Sequence, residues 1–114
     1  MSTAPHLAEA ATRDDLVDWG PVASPLEGLS RTSGKVLHQD SSGAEAGIWV
    51  CTPGSWRCEV AREEFCHFLA GRCTYVHEGG EVIEIGAGTI ALFPAGWRGR
   101  CTVHETVRKV YAIR

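Results

Sequence analysis

No apolar run in this sequence approaches the ~20 residues that a membrane-spanning helix requires. Basic charge is not in excess either. Eleven Lys and Arg stand against 14 Asp and Glu, for a net charge of −3. Nucleic acids and anionic membranes both call for a basic face, so neither partner is expected. The opening residues Met1-Ser2-Thr3-Ala4-Pro5-His6 show neither a basic n-region nor an apolar h-region, and no secretory signal is expected. The five cysteines, Cys51, Cys58, Cys66, Cys73 and Cys101, are odd in number and contain no C-x-x-C. That spacing disfavours a zinc ribbon or finger and reads as reduced thiols in a cytoplasmic protein. No internal repeat, no low-complexity tract and, after residue 20, no helix-period segment of useful length is present.

The 114 residues that are there make one domain, and 44% hydrophobic against 22% charged residues is an ordinary globular balance. Residues 1–30, punctuated by Pro5, Pro21 and Pro25, read either as a partly ordered tail or as an N-terminal arm packed on the domain. Leu7 to Trp19 is rich enough in Ala, Leu and Glu for one or two helical turns but too short to be stable alone. Trp19 is the residue that would anchor such an arm to the domain or to a second subunit.

Residues 31–114 read as an all-β barrel. From Ile48 onward short β-favouring runs alternate with Gly and Pro: 48–51, 56–61, 65–69, 73–77, 82–85, 89–93, 100–104 and 107–113. Thr52-Pro53-Gly54 and Glu78-Gly79-Gly80-Glu81 are turns between them. About eight strands spaced near ten residues apart indicate a sandwich or a barrel.

The most specific stretch is Gly88 to Gly99. A glycine is followed by a short β run and a Pro-x-Gly corner, where Pro94 fixes φ and Gly96 can take a positive one. Gly88, Pro94 and Gly96 fall in the register of the second motif of the cupin superfamily, G-x5-P-x-G, and Glu64 to Gly71 fits the E-x6-G half of the first. The chain therefore resembles the cupins, RmlC-like jelly-roll barrels. It is most similar in style to small single-domain cupins of the (S)-ureidoglycine aminohydrolase cupin-like group, over about residues 45–114. The resemblance implies a double-stranded β-helix barrel with a small-molecule pocket, and a homodimer is expected. Within that group a minor metabolic enzyme acting on an amine, ureido or sugar-like metabolite is one reading, and a non-catalytic sensing or structural barrel is the other.

The resemblance also implies a metal held by three histidines and a glutamate, a set suited to a divalent transition metal. Here the histidine positions before Glu64 are Cys58 and Val60, or Arg57 and Glu59 in the longer spacing, and the late histidine is Gly99. No metal of the usual kind, and no other cofactor, is expected. His67 alternates away from Glu64, and His77 and His104 are placed at strand ends. Alternation instead brings Glu64, Cys66, Cys101, Lys109 and Tyr111 toward the interior, with Cys58 or Glu59 beside them and Trp97 at the mouth. Glu64 and Lys109 are the candidate catalytic pair, and Cys66, Trp97, Cys101 and Tyr111 are the candidate ligand contacts. Zinc held by Cys58, Cys66 and Cys101 with Glu64 is the remaining metal alternative.

Overall fold

A computed structural model describes residues 4–114. Nine strands carry the chain: β1 Val17–Pro21, β2 Pro25–Glu27, β3 Arg31–Gln39, β4 Glu45–Cys51, β5 Gly54–Glu59, β6 Glu64–His77, β7 Val82–Ile85, β8 Ile90–Phe93 and β9 Arg98–Ile113. There is no helix among the described residues, and so none long and apolar enough to cross a membrane. All pairings are antiparallel, and the order β1-β3-β4-β9-β5-β2, with β6 joining β9 to β7 and β8, curls into a jelly-roll barrel.

The barrel is built on β6 and β9, which pair along their lengths. On its other edge β9 divides, with Val107–Ile113 pairing β4 and Arg98–Val103 pairing β5. The far edge of β6 divides likewise, between β8 at Glu64–His67 and β7 at Cys73–Val76. Sequence punctuation suggested two short strands in place of each long one. Gly71, read as a break, is a bulge inside β6. Its φ is +85°, and a Cβ there would collide with the carbonyl of Thr106 on β9. The register shifts between Phe68 and Cys73 bend both strands at that point without ending them.

Period-two alternation sorts the faces. Cys66, Phe68, Cys73 and Tyr75 on β6 and Cys101, Val103, Val107, Lys109 and Tyr111 on β9 all turn inward and are buried. Fully burying one such large apolar side chain contributes about 1.5–3 kcal/mol, so this inner face dominates the barrel's stability. The Pro94–Gly96 corner closes one end. Trp97 N–H donates to the carbonyl of Pro94 and Gly96 N–H to that of Val60, with Gly96 at φ +88°.

The arm is more ordered than its composition suggests. Residues 9–13 form a single turn, closed by bonds from the Thr12 and Arg13 amides to the Glu9 carbonyl, where helical turns were expected. Proline spacing and the lack of a longer apolar stripe leave no room to propagate it. Residues 17–21 and 25–27 are strands, pairing with β3 and β5. Arg108 donates to the carbonyls of Ala10 and Arg13, and Lys35 binds Asp15 at 3.1 Å, so the arm lies against the barrel.

Candidate functional site

The inner face opens into a cavity of about 380 Å³. Its walls are aromatic and aliphatic: Trp19, Trp49, Trp56, Tyr75, Phe93, Val60 and Ile113. Trp19 reaches it from the arm because Gly34 on β3 has no side chain, and the indole lies where a Cβ would be. Polar groups enter at Glu45, Glu59, Arg62, Glu64, Lys109 and Tyr111.

Glu64 opens β6 and Lys109 lies near the end of β9, and the antiparallel pairing brings them together. Lys109 Nζ donates to Glu64 Oε2 at 2.9 Å, with side chains 8% and 20% exposed. The same ammonium lies 4.5 Å from the Trp49 ring centroid and 5.6 Å from that of Phe68, within cation–π range. Burial alone would lower the Lys109 pKa. The attraction of Glu64, with that of the Cys66 sulfur and its hydrogen bonds, outweighs burial and holds it above the ordinary lysine value. Lys109 is therefore a fixed cation at neutral pH.

Cys66 Sγ donates to Glu64 Oε2 at 3.3 Å, so Glu64 Oε2 receives both a thiol and an ammonium. Burial pushes the Cys66 thiol up to about 12, with Lys109 pulling it down and Glu64 pushing it up. In the same row, with Glu45 and Glu64 flanking Ile113 from β4 and β6, Tyr111 O–H donates to Glu45 Oε2 at 2.5 Å, and Gln39 donates to the second oxygen of Glu45 at 2.9 Å. Burial, then the bond to Glu45, raises the Tyr111 pKa.

Of the residues singled out from the sequence, Glu64, Lys109 and Tyr111 line the cavity together, and Cys58 and Glu59 both lie along its β5 side. Cys66 touches Glu64 from behind the wall and is itself fully buried. Cys101 is also fully buried and does not line the cavity. Its thiol is pushed up by the neighbouring Cys73 and by burial. Trp97 is placed in the core rather than at the mouth, packed edge-on against Phe93 at 5.2 Å and Tyr75 at 5.9 Å. The Pro-x-Gly corner turns its indole inward, where burying a large aromatic surface is favoured. His104 lies within β9, bonded to Thr74 at 2.8 Å, and not at a strand end. Glu45, Trp49 and Trp56 were not among the candidates. Trp49 shares a β4 face with Cys51, and alternation from that buried residue could have found it.

The donor set does not fit the divalent metal that a histidine-rich barrel holds. Among the described residues no three of His, Cys, Asp and Glu are arranged to hold an ion. Cys58, Cys66 and Cys101 do not gather with Glu64 into such a set. Gly99 cannot be replaced in place, because a Cβ there would collide with the carbonyl oxygen of Val76 and the Trp97 indole. Glu64, the one ligand position retained, is already neutralised by Lys109.

A family model described as a EutQ-like cupin domain matches residues 38–111. None of the curated proteins compared matches the sequence. Among solved structures, a DUF861-family protein of unknown function from Pseudomonas syringae pv. tomato superposes with a TM-score of 0.79 and 22% identity, over 87% of this chain and 44% of its own. The chain thus spans less than half the length of that protein. The EutQ protein of Clostridium difficile gives a TM-score of 0.64 and 15% identity, over 74% of this chain and 68% of its own. A DUF861-family protein from Thermotoga maritima is 31% identical, with a TM-score of 0.57, over 59% of this chain and 76% of its own.

Proposed function

The chain belongs to the EutQ-like cupin domain family, and from that premise we propose that its cavity binds a small metabolite bearing a ureido or amide-like group, without a divalent metal. The observation that carries this reading is the Lys109–Glu64 pair, 2.9 Å apart, in a cavity otherwise walled largely by aromatic rings. A carboxylate accepts hydrogen bonds and an ammonium donates them. A group with N–H beside C=O offers the matching donor and acceptor side by side, and the aromatic walls take the rest of the molecule. An amine satisfies Glu64 alone, and a sugar hydroxyl answers either partner less specifically.

Lys109, held protonated, polarises a carbonyl oxygen and stabilises negative charge developing there. Glu64 is the neighbouring group able to take a proton. Catalysis of that kind makes the domain a minor metabolic enzyme akin to the (S)-ureidoglycine aminohydrolase-like cupins. A non-catalytic sensing barrel is the second reading. It is supported by the mutual saturation of the pair and by the cavity wall, which holds no histidine among the described residues.

A thermal-shift screen of ureides, amides, amines, sugars and carboxylates tests the proposal, since stabilisation of RT ln(1 + [L]/Kd) makes even millimolar ligands visible. A ureide or amide should stabilise the native chain and neither Glu64→Gln nor Lys109→Met. Hits confined to carboxylates would overturn the ligand assignment, and stoichiometric metal in protein purified without chelator would overturn metal independence. Loss of the hit compound on incubation separates enzyme from sensor. Light scattering on the same samples tests the expected homodimer.

A further inference from the structure

A second concavity, of about 510 Å³, lies where β2, the ends of β5 and β6 and the start of β9 meet. Its charged residues are Arg57, Arg98, Arg100, Glu59 and Glu78. Arg57 and Arg100 are cross-strand partners in the β5–β9 register. Alternation turns Trp56, Cys58 and Cys101 inward, so these two arginines stand exposed on the outer face, with Cβ atoms roughly 5 Å apart.

Like charges directly opposite each other on neighbouring strands destabilise the sheet. The adjacent row avoids that cost, because Arg98 faces Glu59 and binds it at 3.3 Å. Arg57 and Arg100 have no such relief. Neither side chain has an ion-pair or hydrogen-bond partner among the described residues. Three arginines against two glutamates leave the concavity positive on a chain of net charge −3, so the pair is not part of a generally basic surface.

We infer that Arg57 and Arg100 form an oxyanion site that holds the head of a phosphomonoester. A dianion neutralises both guanidinia together. A tetrahedral phosphate offers a separate oxygen edge to each fork, whereas a carboxylate has one bidentate edge and satisfies one arginine. The concavity is larger than inorganic phosphate needs, and Leu26 and Val76 on its wall supply an apolar surface for the organic part of an ester.

The test is an NMR titration of the ¹⁵N-labelled chain with inorganic phosphate, glycerol 1-phosphate and acetate, at ionic strength held constant with sodium chloride. Arg57→Gln, Arg100→Gln and the control Arg72→Gln are compared. Arg72 is exposed and bonded to Glu105. Saturable shifts are expected at residues 57 and 98–100, with glycerol 1-phosphate binding at least as tightly as phosphate and acetate more weakly. Arg57→Gln and Arg100→Gln should each weaken phosphate binding about tenfold, as loss of a charged bidentate contact does, while Arg72→Gln leaves it unchanged. In phosphate-free buffer of low salt the first two variants should also melt higher than the native chain, since the repulsion is gone. Non-saturating shifts spread over the surface, equal phosphate affinity in Arg57→Gln and the native chain, or acetate binding as tightly as phosphate would each overturn the assignment.

Discussion

Lys109 stands opposite Phe68 in the β6–β9 register, yet its ammonium bonds to Glu64, four residues back along β6. The four-carbon stem carries the ammonium to a point near the rings of Phe68 and Trp49. Few side chains could make that reach and carry a charge at the end of it. The pair is thus a property of side-chain length as much as of register.

Removing Lys109 strands the Glu64 carboxylate. Lys109→Met should cost about 3 kcal/mol, toward the lower end for a broken buried pair because 20% of the Glu64 side chain stays exposed. Adding Glu64→Gln should recover most of the loss, since the uncompensated charge goes with it. Urea unfolding of the single and double variants measures both. If the double variant is no more stable than Lys109→Met, the stranded charge is not the cause.

Stability should fall on the alkaline side. Burial pushes Cys51 up to about 11 and Cys58 and Cys66 up to about 12. For an acid raised in the folded state, the unfolded chain releases its proton first, so stability is lost from about pH 8.5 upward. Tyr111, also raised, adds to the loss from about pH 10. Lys109 is a base with a raised folded value. Its contribution is complete below about pH 10.4 and disappears as pH climbs through the folded value. All these groups slope the same way, so chemical denaturation at stepped pH should show a plateau near neutrality and a decline above about pH 9. At pH 8 a thiol reagent should label the native chain slowly and all five cysteines after denaturation. Fast native labelling of Cys66 would contradict the burial argument.

Gly99→His should not rebuild a metal site. The added side chain collides with the Val76 carbonyl and the Trp97 ring, and overpacking of this kind costs about 1–3 kcal/mol. Metal analysis after incubation with zinc or manganese should show no gain over the native chain. A folded variant that retains stoichiometric metal would show that the barrel yields at this point.

Arg108 controls the arm. Its two bonds to the carbonyls of Ala10 and Arg13, at 3.1 and 2.9 Å, are lost in Arg108→Gln. Trypsin cleavage after Arg13 should then speed up by roughly tenfold, because local opening becomes cheaper, while barrel amides keep their exchange rates. Unchanged cleavage would mean that the Lys35–Asp15 ion pair and the β1–β3 pairing hold the segment instead.

The barrel was legible because its marks are local. Gly88, Pro94 and Gly96 set a corner at fixed spacing, and alternation along 64–68 and 107–113 put Glu64, Lys109 and Tyr111 on inner faces. Long strands were not legible, since Gly71 looks the same in sequence whether it ends a strand or bends one. The inward turn of Trp97 was hidden for a related reason: a corner's direction depends on the strands it joins. Trp19 in the cavity wall depends on a vacancy at Gly34, a pairing 15 residues away that no local pattern announces. The Arg57–Arg100 pair is invisible without register.

The two-sided strand β9 has a consequence for how the molecule is made. It pairs with β4, β5 and β6, all of which leave the ribosome before it. Until Arg98–Ile113 emerges, those three strands expose unsatisfied edges and the apolar face of the future core. Folding must then wait on non-local pairings, the slow kind. Before β9 docks, the edges of β4, β5 and β6 that it will cover are open to pairing with other chains.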